Sequence, residues 1–413
     1  MSPKFYKLHV YYRGWGEDWP IGTLASDGKQ TLFEYSSEAL TKGLAFSPRY
    51  LPLSSQTYHF PAQPLQLAGL FADSLPDGWG MLLMDRYFKT YQGRAPHQLH
   101  PFERLAFLGE HTMGALVYLP AVDHSAESTA LGLESLAEAI RHVQQDQDTR
   151  VLAELALTGG SPQGARPKSL VYYNPITRQM STQVFDDAEP WLVKFPAQRE
   201  DAEVCAIEAA YLHIARLCGL EVPDFQFLTV HETLTALVTK RFDRHGDTRI
   251  PMHSLAGALH ADFRVPDCSY NLFLRMTRFM THSEAEVQKA YVRCVFNVCL
   301  HNRDDHTKNF AYLMNRRGEW QLAPAYDLTF NTGLNGHHQM DIEGESLQPA
   351  RKHLLALGNN AGLSARFCTQ AIDQLLDVVD QRGGEILSQY PIRPSTVQTI
   401  IRTIRENMSR LKK

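Results

Sequence analysis

The sequence predicts an α+β fold, with a β-rich N-terminal module and small lobe followed by an all-α C-terminal lobe. Three observations predict it. The N-terminal stretch alternates apolar and polar residues between Gly- and Pro-containing turns, the pattern of half-buried strands. A Gly-rich turn, two short apolar strands and one amphipathic helix follow in order. Beyond His253 the apolar residues recur at helical spacing. These changes divide the chain at residues 1–125, 126–250 and 251–413.

Taken in order, KLHVYYRG alternates as a strand, and GTLASDGKQTLFEYS reads as two strands about an Asp27–Gly28 turn. LPDGWGMLLMDRYFKTYQ and PFERLAFLG turn helical, as do LESLAEAIRHVQQ and RVLAELALTGG. The turn GGSPQGARPK leads into the strand SLVYY, and PWLVKFPA is the next strand. DAEVCAIEAAYLHIARLCGL is expected to place Val204, Ile207, Tyr211, Ile214 and Leu217 on one stripe and to stop at Gly219. FQFLTV and TALVTKRFDR are strands. SYNLFLRMTRFM, EAEVQKAYVRCVFNVCLHN, ARFCTQAIDQLLDVVDQR and PSTVQTIIRTIREN are helices, interrupted by a hairpin about Arg317–Gly318.

At 413 residues the chain exceeds one compact core. Its 44% hydrophobic and 21% charged residues are those of a globular protein, and a net charge of −4 gives no global reason to expect nucleic-acid binding. The six cysteines form no C-x-x-C pair, so reduced thiols are expected rather than a disulfide framework or a zinc site. With neither an apolar leader nor a membrane-length apolar run, a cytoplasmic enzyme is the expectation.

The chemistry concentrates in HNRDDHTKNFAYLMNRRGEWQLAPAYD, His301 to Asp327. Asp304 and Asn309 stand in a D-x-x-x-x-N frame with Arg303 before the acid, and Asp327 follows the hairpin. Phosphoryl transfer needs this set: one carboxylate for the attacking hydroxyl, and an amide oxygen and a second carboxylate for Mg²⁺. The bland alternative is a solvated polar turn. A competing chemical reading is a metal-dependent phosphohydrolase whose ligands come from His301, Asp304, Asp305, His306 and Asn309, with His337 and His338. The GGSPQGARPKS turn offers backbone N–H groups for phosphate, supported by Arg166 and Lys168, though it is not a Walker A sequence. Lys194, flanked by apolar residues, needs an acid partner, with Glu208 first and Glu203 second. RFDR, Arg241 to Arg244, reads first as a structural ion network, while the backbone of Thr239 to Arg241 could meet an adenine edge.

Together SPQGARPKSLV, WLVKFP, VTKRFDR, MHSLAGAL, NRDDHTKNF and LAPAYDLT, after GTLASDG, AGLFADSLPDGWG and LAFLGEHTMGAL, resemble the HipA-type serine/threonine kinases over almost the whole chain. These are the toxin halves of bacterial toxin–antitoxin modules. The resemblance implies a HipA-like, protein-kinase-related fold and an enzyme using ATP and Mg²⁺. Asp304 would then be the catalytic acid, with His306 and Lys308 stabilising the transferred group or the loop. Asn309 and Asp327 would bind Mg²⁺. Ser161, Gly164, Ala165, Arg166, Lys168 and Lys194 would meet the ATP phosphates, with Lys240 and Phe242 at the hinge. Ser161 would be a self-inactivating autophosphorylation site.

The resemblance further implies a small helix-turn-helix, HipB-like antitoxin as partner and DNA contact only through it. The substrate would be a protein, an aminoacyl-tRNA synthetase. A catalytically degenerate partner-binding protein is the other class. Two positions depart from the family pattern. Asp305 stands where relatives often have Gly, leaving open whether it faces solvent or bears on metal binding. Lys240 stands where relatives often have an acid, but hinge contacts run through the backbone, so ATP binding is expected to survive.

Overall fold

The computed structural model describes residues 6–413 apart from 28, 62, 123–128, 148–149, 161, 163 and 232–233. The chain divides into two compact units. Unit 1 comprises Met1–Asp201, Leu228–His253 and Leu313–Gly318; unit 2 comprises Ala202–Phe227, Ser254–Tyr312 and Glu319–Lys413.

Unit 1 contains two five-stranded sheets. The first has strand order β4-β3-β2-β1-β5, from β1 (Tyr6–Tyr12), β2 (Trp19–Ser26), β3 (Thr31–Tyr35), β4 (Tyr58–His59) and β5 (Leu116–Leu119). Alternation sets its faces: Leu8, Val10 and Tyr12 are buried while Lys7 and His9 point outward. Four helices intervene, α1 (Ser37–Lys42), α2 (Gly69–Ala72), α3 (Gly78–Gln92) and α4 (Pro101–Leu108). Proline at the first position and a His100/Glu103 capping box start α4.

The second sheet has order β7-β6-β8-β10-β9, from β6 (Lys168–Tyr173), β7 (Met180–Ser181), β8 (Glu189–Lys194), β9 (Phe225–His231) and β10 (Leu234–Lys240). It follows α5 (Leu133–Gln144) and α6 (Leu152–Gly159). One sheet face sends Val171, Tyr173, Trp191, Val193, Ala236 and Val238 into a core with Trp79, Leu83, Ile140 and Leu155. That burial fixes the antiparallel register, Lys168 opposite Lys194, Leu170 opposite Leu192 and Tyr172 opposite Pro190. The other face therefore carries both lysines.

RFDR is a turn rather than the end of a strand, followed by the short strands β11 (Arg244–His245) and β12 (Thr248–Arg249) and by β13 (Met252–Ser254). Asp243 is fully buried and accepts from the Arg241 guanidinium (2.8 and 2.9 Å), from Arg244 (2.7 Å) and from the Gly114 N–H (2.8 Å). Arg244 and Arg249 also donate to the carbonyls of Thr112 and Gly114, and Arg249 to those of Glu110 and Leu116. The ionic network expected of RFDR is thus a clamp on the loop 110–116. Burial alone would push the Asp243 carboxyl up, but Arg241 and Arg244 outweigh it and hold it well below the usual carboxylate range.

Unit 2 comprises the helices α7 (Val204–Leu217), α8 (Leu255–Leu259), α9 (Tyr270–Thr281), α10 (Glu284–Cys299), α11 (Arg351–Asn360), α12 (Ala365–Val378), α13 (Gly384–Gln389) and α14 (Pro394–Leu411). The hairpin expected about Arg317–Gly318 is also present, from β14 (Ala311–Met314) and β15 (Trp320–Leu322). Helix α7 departs from the one-stripe expectation. Small residues Cys205, Ala206, Ala209 and Ala210 are buried alongside Ile207, Tyr211 and Ile214, whereas Leu217 is 38% exposed. Alanines on the remaining face let the helix sit inside the core rather than on its surface. All six cysteines are free thiols, and five of them are buried.

Asp243→Ala is expected to destabilise the protein by about 3–5 kcal/mol, because it leaves two arginines buried without their carboxylate. Urea unfolding followed by circular dichroism checks this.

Candidate active site

The acid-bearing loop begins where α10 ends. The carbonyls left without a helical partner at that terminus are taken by side chains of other helices. The Tyr211 hydroxyl donates to the Leu300 carbonyl (2.7 Å), and the Asn407 amide to that of Cys299 (3.1 Å). His301 follows in the left-handed region (φ +58°), stacked on Phe330. Its Nδ1 lies 3.2 Å from the Asn407 amide, and burial pulls its pKa from 6.5 down to about 4.

Backbone pairing joins this loop to the segment after Asp327. Asn302 and Asn331 form a parallel bridge, Arg303 N–H donates to the Asn331 carbonyl, and Asn331 N–H donates to that of His301. The Tyr326 hydroxyl donates to the Lys308 carbonyl (2.7 Å). Loop and acid segment are therefore fixed against each other within unit 2. Asp327 itself has φ +53°, an unusual backbone state for a residue with a Cβ and one that concentrates at functional sites.

The two adjacent acids of the loop have opposite fates. Asp304 keeps its side chain 45% exposed, with the His306 Nε2 3.9 Å away. Asp305 is buried and committed on both oxygens. Oδ2 accepts from the Tyr270 hydroxyl (2.7 Å) and meets the His338 Nδ1 (2.7 Å), while Oδ1 accepts from the Gln339 N–H (2.8 Å). The Asn297 amide donates to the Tyr270 oxygen, and Asn302 donates to Asn297, extending the chain of bonds back into α10. Burial first, then the Asp305 carboxylate, push the Tyr270 hydroxyl far above its ordinary pKa, so it remains a donor. Asp305 thus neither faces solvent nor stands ready for a metal: it anchors the loop from beneath. His338 is committed to the same carboxylate, and the His337 Nδ1 lies 2.8 Å from the Ser346 hydroxyl. Among the described residues no group of three or more His, Cys, Asp or Glu converges as a metal cluster. This arrangement does not favour the dinuclear phosphohydrolase reading.

The Asn309 Nδ2 donates to the Asp304 carbonyl (2.7 Å), which leaves Oδ1 as the amide's acceptor. The Lys308 ammonium lies 4.4 Å from the Phe263 ring centroid, and the same ring stands 5.5 Å from the His306 ring. Phe263 therefore contacts both side chains. The hard oxygen donors of Asn309 and Asp327 suit Mg²⁺, which takes few protein ligands when phosphates complete its shell.

Unit 1 carries the second set. Lys168 and Lys194 are both buried, at opposed positions of adjacent strands. Gly164 has φ +108°, and a Cβ there would collide with the Lys168 ammonium, so that ammonium lies against the glycine turn. Ala165 is exposed. The Arg166 Nε donates to both Glu200 oxygens (2.9 and 3.0 Å), so phosphate binding would require it to exchange a partner. Lys240 pairs with Glu189 (2.7 Å), and Phe242 is half-buried in the RFDR turn. The Arg241 N–H is taken by the Pro190 carbonyl, which removes it as a donor to an adenine edge. Ser161 lies outside the described residues. Glu203, the second candidate partner for Lys194, binds Arg393 and Thr396; Glu208 is buried on α7. A cleft of about 840 Å³ also opens in unit 1, lined by Phe107, Glu154, Leu170, Tyr172, Arg241 and Arg244 among others; neither Lys168 nor Lys194 lines it.

Sequence reasoning named His338 only as a possible metal ligand, and missed Phe263, Tyr270 and the Asp77–Gly80 turn. Only the last left a signal, its two glycines around a tryptophan.

Comparison with known proteins places these features in a family. Residues 160–382, more than half the chain, match the model of the HipA-like C-terminal domain, and residues 10–119 match that of the HipA N-terminal domain. Y4mE of Sinorhizobium fredii, a protein named as a candidate kinase, is 26% identical over 168 residues; the match spans 37% of each chain. A chain from the HipA, HipB and operator DNA complex of the Shewanella oneidensis MR-1 toxin–antitoxin system shares the fold, with a TM-score of 0.71 at 17% identity. That likeness covers 97% of this chain and 95% of the other.

Tyr270→Phe removes the hydroxyl between Asn297 and Asp305 and is expected to cost about 1–3 kcal/mol of stability, read from chemical denaturation. His301 predicts a pH dependence. Its folded pKa lies below its unfolded value, so between 6.5 and about 4 the unfolded chain binds more protons and stability falls as pH falls. His301→Asn, which tolerates the left-handed backbone, should flatten the melting temperature across that window relative to wild type.

Proposed function

The chain belongs to the HipA family, and from that premise we propose that it is an ATP- and Mg²⁺-dependent protein serine/threonine kinase, the toxin of a toxin–antitoxin module. The observation that carries the proposal is the loop after α10. Asp304 remains accessible, Asn309 is oriented by the Asp304 carbonyl, and Asp327 is held to the same loop by backbone pairing, while the buried Asp305 bears the structural role. In such a site the Asp304 carboxylate orients the substrate hydroxyl and accepts its proton. His306 and Lys308, both against Phe263, would stabilise the transferred phosphoryl group or the loop itself. Mg²⁺ held by Asn309 and Asp327 would neutralise charge on the ATP phosphates.

The second support is the β6–β8 register. It sets Lys168 and Lys194 at opposed positions on one sheet face, where a polyphosphate could meet both. Beyond the lysines, the same sheet face continues with half-buried Leu170 and Leu192, an apolar surface suited to a nucleobase. Lys168 and Lys194 would hold phosphates, with Gly164, Ala165 and the exchangeable Arg166 in the loop before them, and Lys240 and Phe242 near the base.

The proposed partner is a small helix-turn-helix, HipB-like antitoxin through which any DNA contact runs, and the proposed substrate an aminoacyl-tRNA synthetase in the cytoplasm. Among the described residues no helix is long and apolar enough to cross a membrane. Ser161 would be the self-modified residue. A phosphate beside Arg166 and Lys168 adds nearly two negative charges and captures the cations that ATP requires.

Incubation with Mg²⁺ and γ-labelled ATP, followed by phosphosite mapping, tests this reading. Label on a serine or threonine is expected, Ser161 among the sites. It should fall about 10²–10⁴-fold in Asp304→Asn and vanish in Asp327→Asn. Wild-type protein that neither binds ATP by calorimetry nor takes up label would overturn the kinase and leave a partner-binding protein.

A further inference from the structure

The turn Asp77-Gly78-Trp79-Gly80 at the start of α3 takes no part in the mechanism above, yet it grips the phosphate loop. The Gly164 N–H donates to the Asp77 carboxylate. The Trp79 N–H donates to the Gly164 carbonyl (3.1 Å), and the Trp79 indole to the Lys168 carbonyl (3.0 Å). Both ends of the segment 164–168 are therefore tied to two neighbouring residues. The absence of side chains makes the approach possible. A Cβ on Gly78 would lie 2.7 Å from the Ala165 Cα, and one on Gly80 would lie 2.7 Å from the Gly160 carbonyl oxygen.

Asp77 occupies the N-cap position of α3, where an aspartate ordinarily accepts a bond from its own helix. It makes no side-chain cap bond there. Its carboxylate instead sits on a loop N–H of the kind that phosphate uses. The Lys168 ammonium lies against the same glycine. A backbone donor and a buried cation thus meet at Gly164, and a carboxylate already fills the donor.

We propose that Asp77 is an internal stand-in for a phosphate, so that the N-terminal module competes with nucleotide for the glycine loop. The proposal rests on the kinase reading for the identity of the nucleotide, but not for the seat itself. Binding of ATP would displace the carboxylate from the Gly164 N–H, and the strength of that contact would set the apparent ATP affinity. Asp77 would then act on KM and leave the chemical step alone.

The test is calorimetric titration of the full chain with Mg·ATP and, separately, with sodium tripolyphosphate, in wild type, Asp77→Asn and Trp79→Phe, with thermal melts to establish folding. Asp77→Asn keeps a neutral acceptor and removes the competing charge. Both probes should bind it about three- to tenfold more tightly than wild type, the range of one charge-assisted hydrogen bond. Its KM for ATP should fall with kcat unchanged. Trp79→Phe loses the indole bond, keeps the charge, and should show no such tightening. Equal or weaker binding of both probes by Asp77→Asn overturns the inference and leaves the kinase standing. Tighter tripolyphosphate with no ATP binding retains the seat and removes the kinase. If neither probe binds wild type or Asp77→Asn, both fail.

Discussion

The register of β6 against β8 is the constraint from which the lysine-bearing face of the second sheet follows. Val171, Tyr173, Trp191 and Val193 are bulky and apolar, and the core beneath the sheet accommodates them on one face only. A slip of one residue would bring Lys168 and Lys194 into that core and expose the aromatics. Hydrophobic burial thus sets two lysines at opposed positions on the other face. The apolar side supplies the stability that allows a charged feature to persist on the other.

A comparable division of labour governs the loop after α10. The sequence places two aspartates side by side, and folding separates their tasks. Asp305 reaches inward to Tyr270, His338 and the Gln339 N–H, while Asp304 stays accessible. The buried network engages one carboxylate, which rigidifies the loop and leaves the neighbouring acid accessible. Asp305 is thus a buried anchor beneath the loop.

Local pattern explains which features are legible in the sequence. The strands carrying Lys168 and Lys194 alternate cleanly, and the D-x-x-x-x-N spacing of Asp304 and Asn309 lies within one loop, so both can be read without knowing the fold. The RFDR network is legible as charge complementarity, but its grip on Gly114 is not, since 129 residues separate Gly114 from Asp243. Tyr270 and His338 lie 35 and 33 residues from Asp305 and carry no pattern that links them. Helix α7 misleads because alanine scores weakly in an apolar stripe yet packs as closely as any core residue. Arg166 looks like a free cation until Glu200 is found beside it.

The clamp on the loop 110–116 bears on how the chain can be divided. The two family models leave residues 120–159 between them, which suggests a natural place to cut. The physical seam is elsewhere. Asp243 holds the Gly114 N–H, and Arg249 holds carbonyls from Glu110 to Leu116, so the N-terminal sheet and the second sheet share one ionic joint. A fragment beginning at residue 160 would bare three arginines and a carboxylate that evolved to face backbone. Homology boundaries and cooperative boundaries do not coincide in this protein.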